Sequence, residues 1–191
     1  MALRVGIQMD PIGEIDISGD TSFALALEAQ RRGHELFYYE SDRLAMRDGQ
    51  VSAAIQPLQV ADALGAHFEL GAASITDLRD LDVILMRQDP PFDMHYISAT
   101  HMLERVHPDT LVVNDPAAVR NAPEKICPVR FAGLLPDTLI TRDRAALDAF
   151  RAEFGDIILK PVFGNGGAGI FRIGPDDENF GALVDMFVQT D

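Results

Sequence analysis

The sequence has little cysteine, few bases and no long apolar run. Cys127 is its only cysteine, which excludes an intrachain disulfide and any metal site built from several thiolates. Lysine and arginine total 16 against 30 aspartates and glutamates, a formal net charge of −14. That balance argues against nonspecific nucleic-acid binding, which needs clustered cations to neutralise phosphates. A small anionic ligand needs only a few local cations and stays open. No apolar run approaches the ~18–20 residues that span a bilayer. The start, Met1-Ala-Leu-Arg, leads straight into a strand pattern with no signal peptide ahead of it. The expectation is a soluble cytoplasmic protein with neither nucleic-acid nor membrane partners.

What is present suits a globular fold. Hydrophobic residues make up 47% and charged residues 24% of 191 positions, enough apolar material for one large domain, or one domain and part of another. Apolar strands are predicted over 3–9, 34–40, 82–87 and 110–114. Between them, Asp20, Thr21 or Ser22 can cap a helix that Gly33 stops. That helix has an apolar side of Phe23, Leu25, Ala26, Leu27 and Ala29. Asp48-Gly49 predicts a hairpin between 44–47 and 50–60. Residues 61–80 carry no clear signal, 94–106 read as a helix, and Pro116 opens a short helical segment. Strands alternating with helices favour an α/β layer with a mostly parallel sheet. In such sheets ligands bind beyond the carboxyl ends of the strands. The loops at Asp10 and over 87–93, with Arg87 and Asp89, take that position, although their prolines and acids also suit plain turns.

Asn121-Ala-Pro-Glu interrupts the pattern and suggests domains 1–122 and 123–191. Strands are predicted beyond it over 138–141, 157–161 and 169–173. A helix over 143–154 lies between Asp143 as cap and Gly155 as stop, and another begins near Asn179. The segment 157–172 is the most informative: an apolar strand ending in Lys160, a loop of Gly164, Asn165, Gly166, Gly167, Ala168 and Gly169, and a second strand. The glycines satisfy G-x-G-x-x-G, yet a dinucleotide site needs a helix directly after them, and Ile170-Phe-Arg-Ile173 is strand-like. No Gly-Lys-Ser/Thr supports a Walker A loop. A strand–glycine loop–strand flap can close over phosphates with its backbone N–H groups, and Lys160 adds a charge-assisted contact. The plain alternative is a flexible hairpin with a surface lysine.

Ordered blocks along the whole chain resemble the bacterial glutathione synthetases, members of the ATP-grasp carboxylate–amine ligases. They include Gly6-Ile-Gln-Met-Asp-Pro11, Glu28-Ala-Gln-Arg-Arg-Gly33 and Leu81-Asp-Val-Ile-Leu-Met-Arg87. Asp89-Pro-Pro-Phe-Asp93, Glu124-Lys125, Thr141-Arg142 and the stretch 157–172 complete them. The resemblance implies an α/β pre-ATP-grasp domain followed by the first α+β part of an incomplete ATP-grasp domain. It implies joining of γ-glutamylcysteine to glycine through an acyl phosphate, with ATP consumed, and assembly as a homo-oligomer. Lys125 and Lys160 then correspond to the phosphate-contacting lysines, Gly164–Gly169 to the lid, and Asp10, Arg87 and Asp89 to the dipeptide cleft. Catalytic residues proper are unassigned.

The Mg²⁺ ligands of this family are expected beyond Asp191, so catalysis by these residues alone is not expected. Asp176, Asp177 and Glu178 read as a solvated turn. Two alternatives stay open: an ATP-grasp ligase for another carboxylate and amine, or a non-catalytic binding module. Cys127-Pro128 departs from the family pattern, since a proline in the short helix after Lys125 removes a hydrogen bond and bears on how Lys125 is aimed. Cys127 reads as a small buried hydrophobe. The five histidines, among them His67, form no recognisable metal motif.

Overall fold

A computed structural model describes every residue except Asn165 and Asp191, and the side chains of Ala132 and Thr190. The chain divides into two compact units. The first comprises Met1–Asp89 and Met94–Arg120, the second Pro90–Asp93 and Asn121–Asp191.

The first unit is built on an eight-stranded mixed sheet. Its parallel part is β1 (Arg4–Gln8) between β2 (Glu35–Tyr39) and β7 (Val83–Met86), with β8 (Leu111–Val113) outside β7. These are the short apolar runs seen in the sequence; the central strands β1 and β7 are covered on both faces, while Leu111 and Val113 of the edge strand β8 are exposed. The antiparallel flank is organised by β4 (Gln50–Val60), which pairs with β2, β3 (Leu44–Arg47), β5 (Phe68–Leu70) and β6 (Ser74–Asp77). The β3–β4 hairpin turns at Asp48 (φ 51°) and Gly49 (φ 82°), with Arg47 opposite Gln50. Two left-handed residues in succession suit the right-handed twist of the strands, as the Asp-Gly signal predicts. The uninformative stretch 61–80 holds β5 and β6, strands too short to show a period.

Strand β4 changes face partway along. Val51, Ala53 and Ile55 are buried on one side of the sheet with Tyr39, Ile84 and Leu103. Leu58 and Val60 are buried on the other with Ile7, Phe23 and Leu36. Pro57 sits at the switch, and Gly71 lies so close that an added Cβ would stand 3.1–3.2 Å from its ring.

Helix α1 (Thr21–Arg31) is capped by Asp20, whose side chain accepts a 2.6 Å bond from the Phe23 N–H, and the chain leaves it at Gly33 (φ 79°). Phe23 and Ala26 face the core, whereas Leu25 is exposed, so the apolar side is narrower than the composition of the helix suggests. Helices α2 (Met94–Glu104) and α3 (Pro116–Arg120) complete the unit.

The second unit is a two-stranded antiparallel hairpin, β9 (Ile157–Leu159) and β10 (Phe171–Ile173), with α4 (Arg144–Phe154) and α5 (Phe180–Thr190). A lone hairpin is marginal in water. Here Ile157 and Ile173 are buried with Phe180 and Val184, against Leu147, Phe150 and Leu183. Arg151 ties the end of α4 to the turn after β10. Its guanidinium donates to the carbonyls of Gly174, Pro175 and Asp177 and lies 4.6 Å over the Phe180 ring.

The strand predicted over 138–141 does not form. Thr138 bonds the Pro136 carbonyl and Thr141 accepts from the Asp143 N–H, both local side-chain contacts. Among the described residues no strand pairs with the segment, and apolar residues without a ladder partner do not make a strand. The strands flanking the glycine loop are shorter than predicted, leaving Lys160 and Ile170 outside them. Cys127–Leu134 forms 3₁₀ helix kinked at Phe131. Pro128 lies in its first turn, where its missing N–H breaks no helical bond. Cys127 is half-buried rather than fully enclosed.

Candidate functional site

In the first unit, the predicted loop residues gather at the carboxyl ends of β1 and β7. The Arg87 N–H donates to the Gln8 carbonyl at 2.7 Å, extending the ladder one residue past β7. The backbone thereby fixes where the Arg87 side chain starts. Its Nε donates to Ser22 Oγ at 3.1 Å and its Nη2 to Thr21 Oγ1 at 2.6 Å, the first two residues of α1. The other guanidinium N–H groups have no hydrogen-bond partner among the described residues. Asp10 accepts from the Asp89 N–H at 2.6 Å, so the two loops are joined directly. Partial desolvation raises the Asp89 pKa from its ordinary value. The charges of Asp10 and Asp20 push the same way, and Arg87 opposes them. The arrangement is a held guanidinium beside carboxylates, able to take a zwitterionic ligand with its own carboxylate and ammonium.

In the sequence Thr21 and Ser22 are capping candidates, and no local signal links them to Arg87, 66 and 65 positions away. A further tie that no local signal marks is that fully buried Gln8 donates to Gln88, on the loop between Arg87 and Asp89.

In the second unit, the glycine loop connects β9 to β10. Gly166 (φ 61°), Gly167 (φ 80°) and Gly169 (φ 71°) hold left-handed conformations that side-chain-bearing residues avoid. Both ends of the loop close on Pro161. A Cβ on Gly164 would stand 2.9 Å from the proline ring, and one on Gly169 would stand 3.2 Å from two of its atoms. Glycine is therefore required twice over, for φ and for space. Gly164 is half-buried and Ala168 exposed; Asn165 lies outside the described residues.

Lys125 meets this loop. Its ammonium donates to the Gly164 carbonyl and lies 3.7 Å from Glu124, with only 13% of the side chain exposed. That contact closes a separation of 39 positions along the chain. Lys160 stands exposed just past β9, with no ion pair or hydrogen bond among the described residues. One lysine is thus fixed to the loop and the other uncommitted. No cluster of three or more metal-ligating side chains occurs among the described residues. Asp177 in the acidic turn instead accepts from the Asn179 N–H at 2.9 Å, ahead of α5.

A sheet with a loop cluster at its strand ends, followed along the chain by a strand–glycine loop–strand unit with two lysines, defines an α/β protein whose loops suit small charged ligands. Comparison with known proteins makes this specific. The family model described as prokaryotic glutathione synthetase, N-terminal domain, matches residues 3–120. The one described as prokaryotic glutathione synthetase, ATP-grasp domain, matches residues 124–191. The chain belongs to the prokaryotic glutathione synthetase family. It is 60% identical to the glutathione synthetase of Mesorhizobium japonicum over 99% of its own length and 60% of that protein's. It is 58% identical to that of Brucella melitensis, covering 99% and 61%, and 46% identical to that of Salmonella typhimurium, covering 98% and 60%. The chain spans about 60% of the length of these curated relatives.

Proposed function

We propose that these residues are the substrate-binding unit and the first part of the ATP-grasp domain of a glutathione synthetase. The protein joins γ-glutamylcysteine to glycine, consuming ATP and passing through an acyl phosphate. The observation that carries the reading is the Lys125 ammonium seated on the glycine loop, in a chain alike from end to end to enzymes of that name.

Phosphoryl transfer depends on positioning and on cations facing charge that spreads over oxygen atoms. A chain of net charge −14 repels a polyanion, so dedicated lysines are needed where the phosphates sit. Lys160 is uncommitted and can bind a phosphate oxygen directly. Lys125 has three donors, so it can keep the Gly164 carbonyl and still reach a second acceptor, coupling loop position to phosphate binding. The loop N–H groups, unobstructed by side chains, complete the cradle and exclude water from a hydrolysable intermediate. At the other site Arg87 offers paired donors to a carboxylate, and Asp10 and Asp89 suit an ammonium.

Mg²⁺ belongs to this reading, but the described residues do not form a site for it. A cytoplasmic location and assembly into homo-oligomers accord with the same reading. The test uses the complete gene product with γ-glutamylcysteine, glycine, ATP and Mg²⁺. ADP release dependent on both amino-acid substrates is expected. Release with a different carboxylate and amine, and none with these, overturns the assignment.

A further inference from the structure

We infer that His67 is a positioning residue that sets the Asp10 loop, acting through the backbone of Ile12. The inference rests on the reading of that loop as substrate-facing. His67 comes from the turn before β5, far from the loop in sequence. It is buried, and its Nε2 lies 2.8 Å from the Ile12 carbonyl. A carbonyl only accepts, so Nε2 carries the proton. The other ring nitrogen, Nδ1, is buried without a hydrogen-bond partner, so the ring has one polar task and that task is Ile12. Two aromatic rings hold it in place, Phe23 at 5.7 Å and Phe68 at 4.9 Å between centroids, both edge-on. The turn that carries it is closed by the Ala61 N–H on the His67 carbonyl at 3.0 Å.

The Ile12 side chain is itself buried. Two residues upstream, Asp10 is exposed and makes the bond to Asp89. A buried clamp behind an exposed functional loop suits a device for presenting the loop, since the loop has no regular secondary structure of its own.

The test uses His67→Phe, which keeps the ring packing and loses the donor, and His67→Gln, which restores a donor at similar reach. Amide exchange over residues 10–13 is measured with steady-state kinetics of the complete protein. In His67→Phe, exchange is expected to accelerate and the KM for γ-glutamylcysteine to rise roughly 3- to 10-fold, the worth of one hydrogen bond. The KM for ATP is expected to stay at the parent value and His67→Gln to recover most of the loss. Unchanged exchange in His67→Phe overturns the clamp. Faster exchange with an unchanged dipeptide KM, while Asp10→Asn raises that KM, overturns the positioning role and leaves the substrate reading standing. No effect of Asp10→Asn on that KM overturns the substrate reading and the positioning role with it.

Discussion

Replacing each lysine of the glycine-loop unit by alanine separates two roles that sequence alone treats as one. Lys160 is exposed and unpaired among the described residues, so Lys160→Ala removes only a contact to bound phosphate. A hydrogen bond to a charged group contributes about 1.5–3 kcal/mol. At about 1.4 kcal/mol per factor of ten, ATP binding should weaken roughly 10- to 150-fold. Lys125 donates to the Gly164 carbonyl before any ligand arrives. Lys125→Ala therefore loses the phosphate contact and also leaves the loop untied. The added cost of ordering the loop on binding, about 1 kcal/mol for one such tie, gives a further factor of roughly five. Calorimetric titration of the complete protein with ATP measures both affinities. Amide exchange over 164–169 without nucleotide supplies the second readout, faster in Lys125→Ala and unchanged in Lys160→Ala. The reasoning is refuted if Lys160→Ala binds ATP within twofold of the parent, or if the loop exchanges alike in both variants.

Three further outcomes follow from the packing and the charges. Gly6→Ala places a Cβ 2.7 Å from Leu81 Cδ1 inside the sheet. Overpacking of this kind costs about 1–3 kcal/mol, and differential scanning calorimetry should show a fall in Tm of several degrees. Arg151→Lys keeps the charge but cannot serve three carbonyls with a planar fork. The second unit should lose about 2 kcal/mol in denaturant unfolding, against near-parent behaviour for a substitution at exposed Arg47. Glu28 accepts from Arg31 and Arg32, which hold its pKa down at about 2. A depressed carboxylate stabilises the fold above its unfolded-state pKa. That contribution is lost as pH falls from 4.5 towards 2. NMR titration should show a midpoint near 2, and Glu28→Gln should flatten this part of the acid-stability curve.

Much of the fold could be read because its elements announce themselves locally. The parallel strands are short apolar runs, Asp20 and Asp143 are side-chain caps that accept from the following turn, and Asp48-Gly49 is a turn that only left-handed backbone satisfies. Where local signal misled, a partner was missing: residues 138–141 have strand composition and nothing beside them among the described residues. Leu25 fails similarly, because helical spacing shows which residues share a side and not how wide the covered side is.

The candidate sites divide along the same line. Residue types and order alone determined the glycine loop and its exclusion as a dinucleotide site, because backbone conformation at glycine and the strand after it are local properties. They also offered Lys160, Asp10, Arg87 and Asp89 as candidate positions, and the resemblance that tied the chain to its family added Lys125. Tertiary structure decided which of these groups are already engaged. Lys125 is fastened to Gly164 while Lys160 is not. Arg87 is held by Thr21 and Ser22, and Asp10 by the backbone of Asp89. It also supplied the supports that no motif marks: Pro161 beneath both ends of the glycine loop, and His67 behind Ile12. These depend on contacts between segments dozens of residues apart, where a hydrogen bond or a shared surface exists only once the sheet has brought them together.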